Sequence, residues 1–599
     1  MHHKERNCKS CFGENVDKCN DPCHRITDLC LDREYLCRSK KLRRILGKLQ
    51  QCACCPIIYE NKEEKKYRNR YFNGTFHKSF THDVNGHLIL VEDYVLMVQS
   101  IITDNQLTLA QVRLHPLRTF GRSLLNPLGA WATIYFGAPQ QCCKICDFPS
   151  LSSAASASEM IHLYAMMLAR DIPFIKYSID PLIDRLVQML NMPGFRDNFP
   201  YYCDCDVEIT AKNIFRGLSS GDRVGPYLSQ LFMLDIQNGG QNSWDQTYAS
   251  PVSRDYALDL SIRGRADVTV EWCRTRVETV NILNSQLDIE SVQWEIDDQP
   301  FFYIYKGRVQ AEAVHNDTSA QFYLNAYNIL FGVGILINPG FPVYPNQDPY
   351  ITGGGPEAAY AAISGVTEMA IKHAFYWKWY HFRRLRPEQY GLYVDTIKKG
   401  IERNEFNYDI DDFLLNHPIL EDISILHFTY WGSADYMLTT CYREGSPVSP
   451  SYPSSHAVIA GAACTIIKIF LDCELKWLRV PWVGGNIDNI FDTEPTGEYL
   501  QPYVNEDEDV GRMTVWGEIN KMASNIAFGR EWAGVNFRSD SIQGLLLGEC
   551  IAIKYMEDVL STWVENNLDC TPPCIKFRGF NDCVRHVIPT LCHKKKIEK

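Results

Sequence analysis

Apolar residues recur along much of this chain with the spacing of amphipathic helices, and few segments alternate with the two-residue period of a strand. An apolar run over 88–102 predicts the first core element. The segment from Ala157 to Arg170 has the spacing and the composition of a helix. Further helices are predicted over 177–190, 319–337, 356–379, 454–471, 516–530 and 541–567. The chain is therefore predicted to be mostly α, with a helical-bundle architecture.

The two ends of the 599-residue chain differ from its middle in composition. Residues 1–80 are polar, irregular and rich in cysteine, and residues 566–599 are basic and also contain cysteines. We predict an N-terminal extension over 1–80, a helical domain over 81–565 and a C-terminal tail over 566–599.

The cysteines cluster at these ends, with nine of the 23 inside residues 8–55 and four inside 570–592. The spacings Cys8-x2-Cys11 and Cys19-x3-Cys23 suit zinc binding through thiolates, although the loops between them are short. Disulfide bonds are at least as good an interpretation and would indicate an oxidising compartment. The first residues, Met-His-His-Lys-Glu-Arg, lack the pattern of a signal peptide, so the localisation stays open.

The overall composition, 45% hydrophobic and 22% charged, is that of a soluble globular protein. A net charge of −12 argues against nucleic acid as the main partner. No uninterrupted apolar run reaches bilayer length, so no transmembrane helix is expected. The acidic segment 404–412 offers oxygen ligands for calcium, but it lacks EF-hand spacing and also has the character of a solvated loop.

The richest chemistry lies in the strip from Ser446 to Ala457, which joins three prolines to two serines and a histidine. A helical run follows, for which Ser454 or Ser455 is a natural N-cap. Free backbone N–H groups and the positive end of the helix would then lie beside Ser454 and His456. This arrangement predicts an oxyanion site, whereas the strip alone also fits a proline-rich loop that caps a buried helix.

Basic residues precede this strip at Lys378 and Arg386, eight positions apart. Pro387 disfavours the α conformation at Arg386, so a helix is predicted to end there. Lys378 offers a mobile point charge and Arg386 a planar fork, a combination that suits phosphate-like groups. Arg383 and Arg384 have the character of an ordinary basic helix end.

Two further segments complete the set of candidate residues. Gly529 and Arg530 are followed six positions later by Asn536. Asp317 precedes a predicted helix, where it is suited either to orient an arginine or to act as an N-cap.

These motifs together resemble the vanadium-dependent haloperoxidases, whose superfamily includes the type 2 phosphatidic acid phosphatases. The resemblance rests on Lys-x7-Arg-Pro from Lys378, Pro-Ser-Tyr-Pro-Ser-x-His from Pro450, and Gly-Arg from Gly529. The seven-residue gap is similar to the algal bromoperoxidase branch, as are the flanking segments 215–217, 225–230, 525–530 and 541–549. The resemblance covers residues 150–565. It implies the haloperoxidase helical-bundle fold and, as in algal relatives, a homo-oligomer.

The resemblance implies that vanadate is the cofactor and that Lys378, Arg386 and Arg530 hold its equatorial oxygens. Ser454 and the backbone N–H of Ser455 would add hydrogen bonds. Phosphate is expected to occupy the same site.

The resemblance also implies the chemistry of the reaction. His456 would be the acid–base group beside the apical oxygen, and Asp317 would pair with an arginine, for which Arg530 is the first choice. Hydrogen peroxide would bind the metal and Lys378 would polarise it. Halide would then be oxidised to a hypohalous-acid equivalent that halogenates a small organic acceptor.

Three positions depart from the family pattern. Asn536 stands at the axial vanadate-ligand position, where the family has a histidine, and an amide is a poor ligand for vanadium(V) beside an imidazole. Ser455 replaces the usual glycine before His456. Ser449 stands where algal enzymes have a second histidine that tunes the site, so its effect is expected on halide or pH preference.

Two functions are consistent with these residues. The first is a vanadate-dependent bromo- or iodoperoxidase whose activity is weakened by Asn536. The second is a non-catalytic haloperoxidase-like protein that retains a phosphate- or vanadate-binding pocket. A phosphatase ranks third, because Asn536 also occupies the position of that branch's histidine nucleophile.

Overall fold

The chain was analysed as a computed structural model. The structure describes residues 60–119, 122–132, 134–199, 208–234, 271–286, 303–315, 317–401, 409–504, 509–563 and 574–589. The zinc and disulfide predictions for residues 8–55 lie outside the described residues, as does most of the acidic segment 404–412.

The prediction of a mostly helical chain is confirmed. The α-helices of the described residues are α1 Lys62–Tyr67, α2 Val91–Ile102, α3 Gln106–Leu109, α4 Ala154–Ala169, α5 Pro181–Leu190, α6 Phe195–Asn198, α7 Arg276–Leu283, α8 Gly307–Ala313, α9 Gln321–Gly332, α10 Pro356–Phe375, α11 Pro387–Lys398, α12 Asp412–Leu415, α13 Ile419–Trp431, α14 Ser455–Phe470, α15 Val515–Trp532 and α16 Arg538–Thr562. Two antiparallel hairpins pair β1 Phe491–Thr493 with β2 Leu500–Pro502, and β3 Ile575–Arg578 with β4 Val584–Val587.

Helix α14 is the centre of the bundle, because every residue from Ala457 to Phe470 is buried. It packs against α10, α15 and α16. The contact with α16 is close enough to require glycine on both sides. A Cβ on Gly461 would collide with the backbone of Leu545, and one on Gly548 would collide with the carbonyl of Val458. The small residues of the run after Ser454 therefore let the site-bearing helix lie deep in the core.

The predicted helix over 356–379 takes a different course near its end. Helix α10 stops at Phe375, a π-helical segment runs over Tyr376–Phe382, and Arg383 ends it in the left-handed region with φ 43°. Arg386 is extended, with φ −94° and ψ 156°, as a residue before proline prefers, and Pro387 begins α11. The prediction that a helix ends at Arg386 is therefore wrong, because the helical segment already ends at Phe382. Lys378 and Arg386 lie on two elements joined by a short turn.

Residues 60–80, which lie within the predicted N-terminal extension, belong to the same compact unit as the described helices. Glu64 forms a buried ion pair with Arg383, beside the π-helical segment. Lys78 is also buried: its Nζ donates to the carbonyls of Glu444 at 2.8 Å and Ser446 at 2.6 Å. Composition does not reveal these partners, because they lie hundreds of residues away.

The described part of the predicted C-terminal tail, residues 574–589, is also packed. Its β3–β4 hairpin contacts α14 and α16, and Arg585 donates to Glu549 at 2.9 Å. No helix within the described ranges has both the length and the apolar composition needed to cross a membrane.

Candidate functional site

The strip from Ser446 to Ala457 ends where α14 begins, and Ser454 is the N-cap of that helix. Its side chain does not make the usual capping bond. Its Oγ is buried and has no hydrogen-bond partner, in a residue that is 1% exposed. The Ser454 backbone N–H donates to the carbonyl of Asp540 at 3.0 Å. The cap therefore leaves both a hydroxyl and the first N–H groups of α14 available to a ligand.

Three buried cations face the same cavity as Ser454. Lys378 donates its Nζ to the carbonyls of Pro450 at 2.6 Å and Ser451 at 3.1 Å. Arg386 donates its Nε to the carbonyl of Ser449 at 2.7 Å, and another N–H to Val535 at 2.8 Å.

Arg530 completes the cluster from the last turn of α15. It donates to the carbonyl of Val314 at 3.0 Å and to the Tyr442 hydroxyl at 3.3 Å. Its guanidinium lies 4.9 Å from the centre of the Tyr442 ring. These contacts hold Arg530 in place without neutralising its charge.

Within the described residues, none of the three cations has a carboxylate at ion-pair distance. Their neighbours Arg383 and Arg384 differ: Arg383 pairs with Glu64, and Arg384 pairs with Glu159 at 2.7 Å and Asp540 at 2.8 Å. The structure thus separates cations with built-in partners from cations that face the cavity.

This lack of counterions affects the protonation of the cluster. Burial, together with the charges of Arg386 and Arg530, lowers the pKa of Lys378 well below its ordinary value. Burial and the charge of Arg530 lower the pKa of Arg386 to about 10. A bound anion would offset both effects, since an opposite charge favours the protonated forms.

His456 lies in the first turn of α14, and its Nε2 is 2.8 Å from Oδ1 of Asp317. Burial acts to raise the pKa of Asp317, but the charge and hydrogen bond of His456 and the charge of Arg530 lower it below its ordinary value. The predicted pairing of Asp317 with Arg530 is therefore wrong. The first turn of α14 brings the imidazole within reach, while Val314 and Tyr442 take the hydrogen bonds of Arg530.

Asn536 follows α15, lines the cavity and is 3% exposed. Its Nδ2 donates to the carbonyl of Ser451 and to Oδ2 of Asp540, both at 3.0 Å. Ser449 lies near Arg386, whose guanidinium donates to its Oγ at 3.2 Å. Ser455 is the first residue of α14, and its side chain also lines the cavity.

Sequence reasoning missed the groups behind Arg530. The ring of His315 stacks on Tyr442, with the ring centres 3.8 Å apart and the planes within 4°. Its Nε2 lies 2.7 Å from Oε1 of Glu444. Burial acts to lower the pKa of His315, but Glu312 and Glu444 raise it to about 9. The position of His315, two residues before Asp317, was a usable signal, whereas nothing in the sequence marks Glu444.

The cavity has a volume of about 250 Å³. Its lining combines the polar groups described above with largely apolar side chains, namely Leu125, Tyr323, Ile371, Phe375 and Ile459. The structure thus brings all the sequence-predicted site residues to one cavity, namely Asp317, Lys378, Arg386, Ser449, Ser454, Ser455, His456, Arg530 and Asn536.

A tetrahedral oxyanion such as vanadate fits this donor set. The fit rests on cations that lack carboxylate partners and on a buried serine hydroxyl that lacks any partner. Position 536 supplies no ring nitrogen, so the donor set suits an anion held by charge and hydrogen bonds.

Other predicted metal sites gain no support. No group of three or more His, Cys, Asp or Glu side chains in the described part of the chain is arranged to hold a metal ion. At the described end of the segment 404–412, Asp409 pairs with Arg70 at 3.0 Å and Asp411 caps α12. Calcium binding there stays a prediction.

Comparison with known proteins agrees with this site. Residues 433–565 match the family model described as the VCPO second helical-bundle domain. The vanadium-dependent bromoperoxidase of Corallina pilulifera is 30% identical over 571 residues, covering 85% of this chain and 92% of that one. The enzyme of Corallina officinalis is 30% identical over 569 residues, covering 84% and 92%.

A solved structure, the homohexameric second vanadate-dependent bromoperoxidase of Ascophyllum nodosum, superposes with a TM-score of 0.77. It is 26% identical and covers 95% of this chain and 93% of that one. With motifs, fold and near full-length similarity in agreement, this chain belongs to the vanadium-dependent haloperoxidase family.

Proposed function

We propose that the cavity binds a tetrahedral oxyanion, vanadate or phosphate, and that the vanadate-loaded protein is a weakened bromo- or iodoperoxidase. The observation that carries the proposal is the cluster of Lys378, Arg386 and Arg530. These side chains are buried, face one cavity and lack carboxylate partners among the described residues. Burying unpaired charge costs several kcal/mol, so such a cluster is expected where an anion completes it.

Each residue has a distinct part in this proposal. Lys378, Arg386 and Arg530 would hold the oxyanion by charge-assisted hydrogen bonds, and Ser454 Oγ and the N–H of Ser455 would add neutral ones. Vanadate, when bound, would supply a Lewis acid for hydrogen peroxide.

The pair of His456 and Asp317 would handle protons at the edge of the cavity. The Asp317 carboxylate orients the imidazole through Nε2 of His456. The imidazole is thereby fixed where it can exchange a proton with a reactant. The apolar lining residues would exclude water and leave room for halide and a small organic acceptor.

Asn536 is the reason to expect weak activity. Losing a buried ligand costs on the order of 2–5 kcal/mol, or roughly 30-fold to several-thousand-fold in affinity. The same residue favours the second candidate function, a non-catalytic protein that retains an oxyanion pocket. Homo-oligomerisation is part of the proposal, supported by the homohexameric relative.

The test is to incubate the full chain with orthovanadate and assay peroxide-dependent bromination and iodination of a dye, with Asn536→His in parallel. Weak wild-type activity that rises in Asn536→His supports the peroxidase. A silent wild type beside an active Asn536→His excludes peroxidase activity for the natural chain and keeps the site. If neither protein is active and neither binds vanadate, the assignment of the cavity is wrong.

A further inference from the structure

The amide of Asn536 has a fixed orientation. Its Nδ2 donates to the carbonyl oxygen of Ser451 and to Oδ2 of Asp540, each at 3.0 Å. Both partners are acceptors, so rotating the amide by 180° would place its oxygen against two other oxygens.

The Asp540 carboxylate is itself held as an acceptor. Its Oδ2 also accepts the N–H of Phe537 at 2.9 Å, and its Oδ1 accepts from Arg384 at 2.8 Å. Three donors thus converge on this buried carboxylate, which keeps the nitrogen of the Asn536 amide turned towards it.

The amide oxygen of Asn536 is consequently the end left for the cavity. Among the described residues it accepts no hydrogen bond. The groups around it are mostly donors: Lys378 uses two of its three N–H groups on carbonyls, and Arg530 uses two of its five. The carboxylate that lines the cavity, Asp317, is engaged by His456 at 2.8 Å.

We infer that Asn536 makes the site selective for oxyanions that carry a proton. The inference rests on the oxyanion site proposed above. An acceptor beside an anion stabilises a P–OH or V–OH group through a hydrogen bond and repels an oxygen that lacks a proton. Phosphate and vanadate carry a proton near neutral pH, whereas sulfate does not. The preferred ligand class is therefore the protonated tetrahedral oxyanions, with sulfate disfavoured.

The experiment compares inorganic phosphate with sulfate by isothermal titration calorimetry on the full chain. A pH of about 8 is suitable, because phosphate is then mainly a dianion that keeps one proton and matches the charge of sulfate. The wild type is expected to bind phosphate at least about tenfold more tightly, the value of one hydrogen bond.

Variants at position 536 test whether the amide oxygen of Asn536 is the cause of the phosphate preference. Asn536→Ala removes the acceptor and is expected to bring the two affinities within about threefold of each other. Asn536→Ser serves if the alanine variant does not fold, since its hydroxyl can donate to sulfate. Ser449→Ala is the matched control. It removes a hydroxyl that supports Arg386, so it should weaken both anions by the same factor.

The outcomes distinguish this inference from the proposed function. A phosphate preference that disappears at position 536 but persists in Ser449→Ala supports it. Equal wild-type affinities, or a preference for sulfate, overturn the selectivity and leave the oxyanion site standing. If neither anion nor vanadate binds, the proposed oxyanion site fails, and the selectivity fails with it.

Discussion

Lys378 offers a direct test of the site, because it is a buried cation with no carboxylate partner among the described residues. Methionine has a similar length and no charge, so Lys378→Met removes the charge while filling much of the same space. We expect two opposite effects: the ligand-free protein becomes more stable, and oxyanion binding becomes weaker.

The size of each effect follows from the contacts of Lys378. Methionine would leave the carbonyls of Pro450 and Ser451 without their donor, which costs about 1–3 kcal/mol. Removing a buried unpaired charge returns several kcal/mol, so the net gain is about 1–3 kcal/mol. For a chain of this size that is roughly 1–3 °C in Tm. Losing a charge-assisted hydrogen bond should weaken phosphate binding by about ten- to a hundredfold.

The pH dependence has a definite sign. The pKa of Lys378 lies below its ordinary value in the folded state, so the unfolded state binds more protons. The wild type therefore gains stability relative to Lys378→Met as pH rises. As pH approaches the ordinary lysine pKa of about 10.4, the advantage of Lys378→Met should disappear and then reverse, because only its two carbonyls without a donor remain.

Differential scanning fluorimetry in phosphate-free buffer and phosphate titration measure these effects. Lys521→Met is the matched control: Lys521 is equally buried but pairs with Glu518 at 2.7 Å, so its loss should lower Tm. A fall in Tm of Lys378→Met together with unchanged phosphate affinity would refute the reasoning.

Two further predictions concern groups that support the cavity. The folded pKa of His315 is raised to about 9, so its stabilisation is complete below about pH 6.5 and is lost as pH rises through 9. His315→Gln should therefore be about 1–3 kcal/mol less stable than wild type near pH 6, and parallel melting curves should converge by about pH 9.5; a constant gap would contradict this. Arg384→Met leaves Glu159 and Asp540 buried without their cation and should cost about 3–5 kcal/mol, or roughly 3–5 °C in Tm. Lys62→Met is the control: it breaks an exposed ion pair with Asp147 and should change Tm by less than about 1 °C. Similar Tm shifts in Arg384→Met and Lys62→Met would contradict this prediction.

The candidate residues named from the sequence line one cavity, and most of them lie in motifs beside a helix end; their roles there stay a prediction. The N-cap at Ser454 and the cations at Lys378, Arg386 and Arg530 all reach one cavity, as expected. Helix N-caps and proline boundaries depend on a few neighbouring residues, so a sequence pattern can predict them.

Partner choice was less predictable. Asp317 pairs with His456 rather than Arg530, whose hydrogen bonds go to Val314 and Tyr442. The π-helical segment over Tyr376–Phe382 leaves no pattern that distinguishes it from an α-helix. Glu64 and Lys78 resemble solvated charges in the sequence, yet each is buried against a group far along the chain.

The contacts of Lys78 also bear on when the site can form during synthesis. Its two carbonyl acceptors follow it by 366 and 368 residues. At roughly 5–20 residues per second, about 20–75 s pass between the synthesis of Lys78 and that of the strip it supports. Arg530 and Asn536 come later still. An oxyanion can therefore be enclosed only after nearly all of the described chain has been made. The cavity is consequently loaded at the end of synthesis or after it.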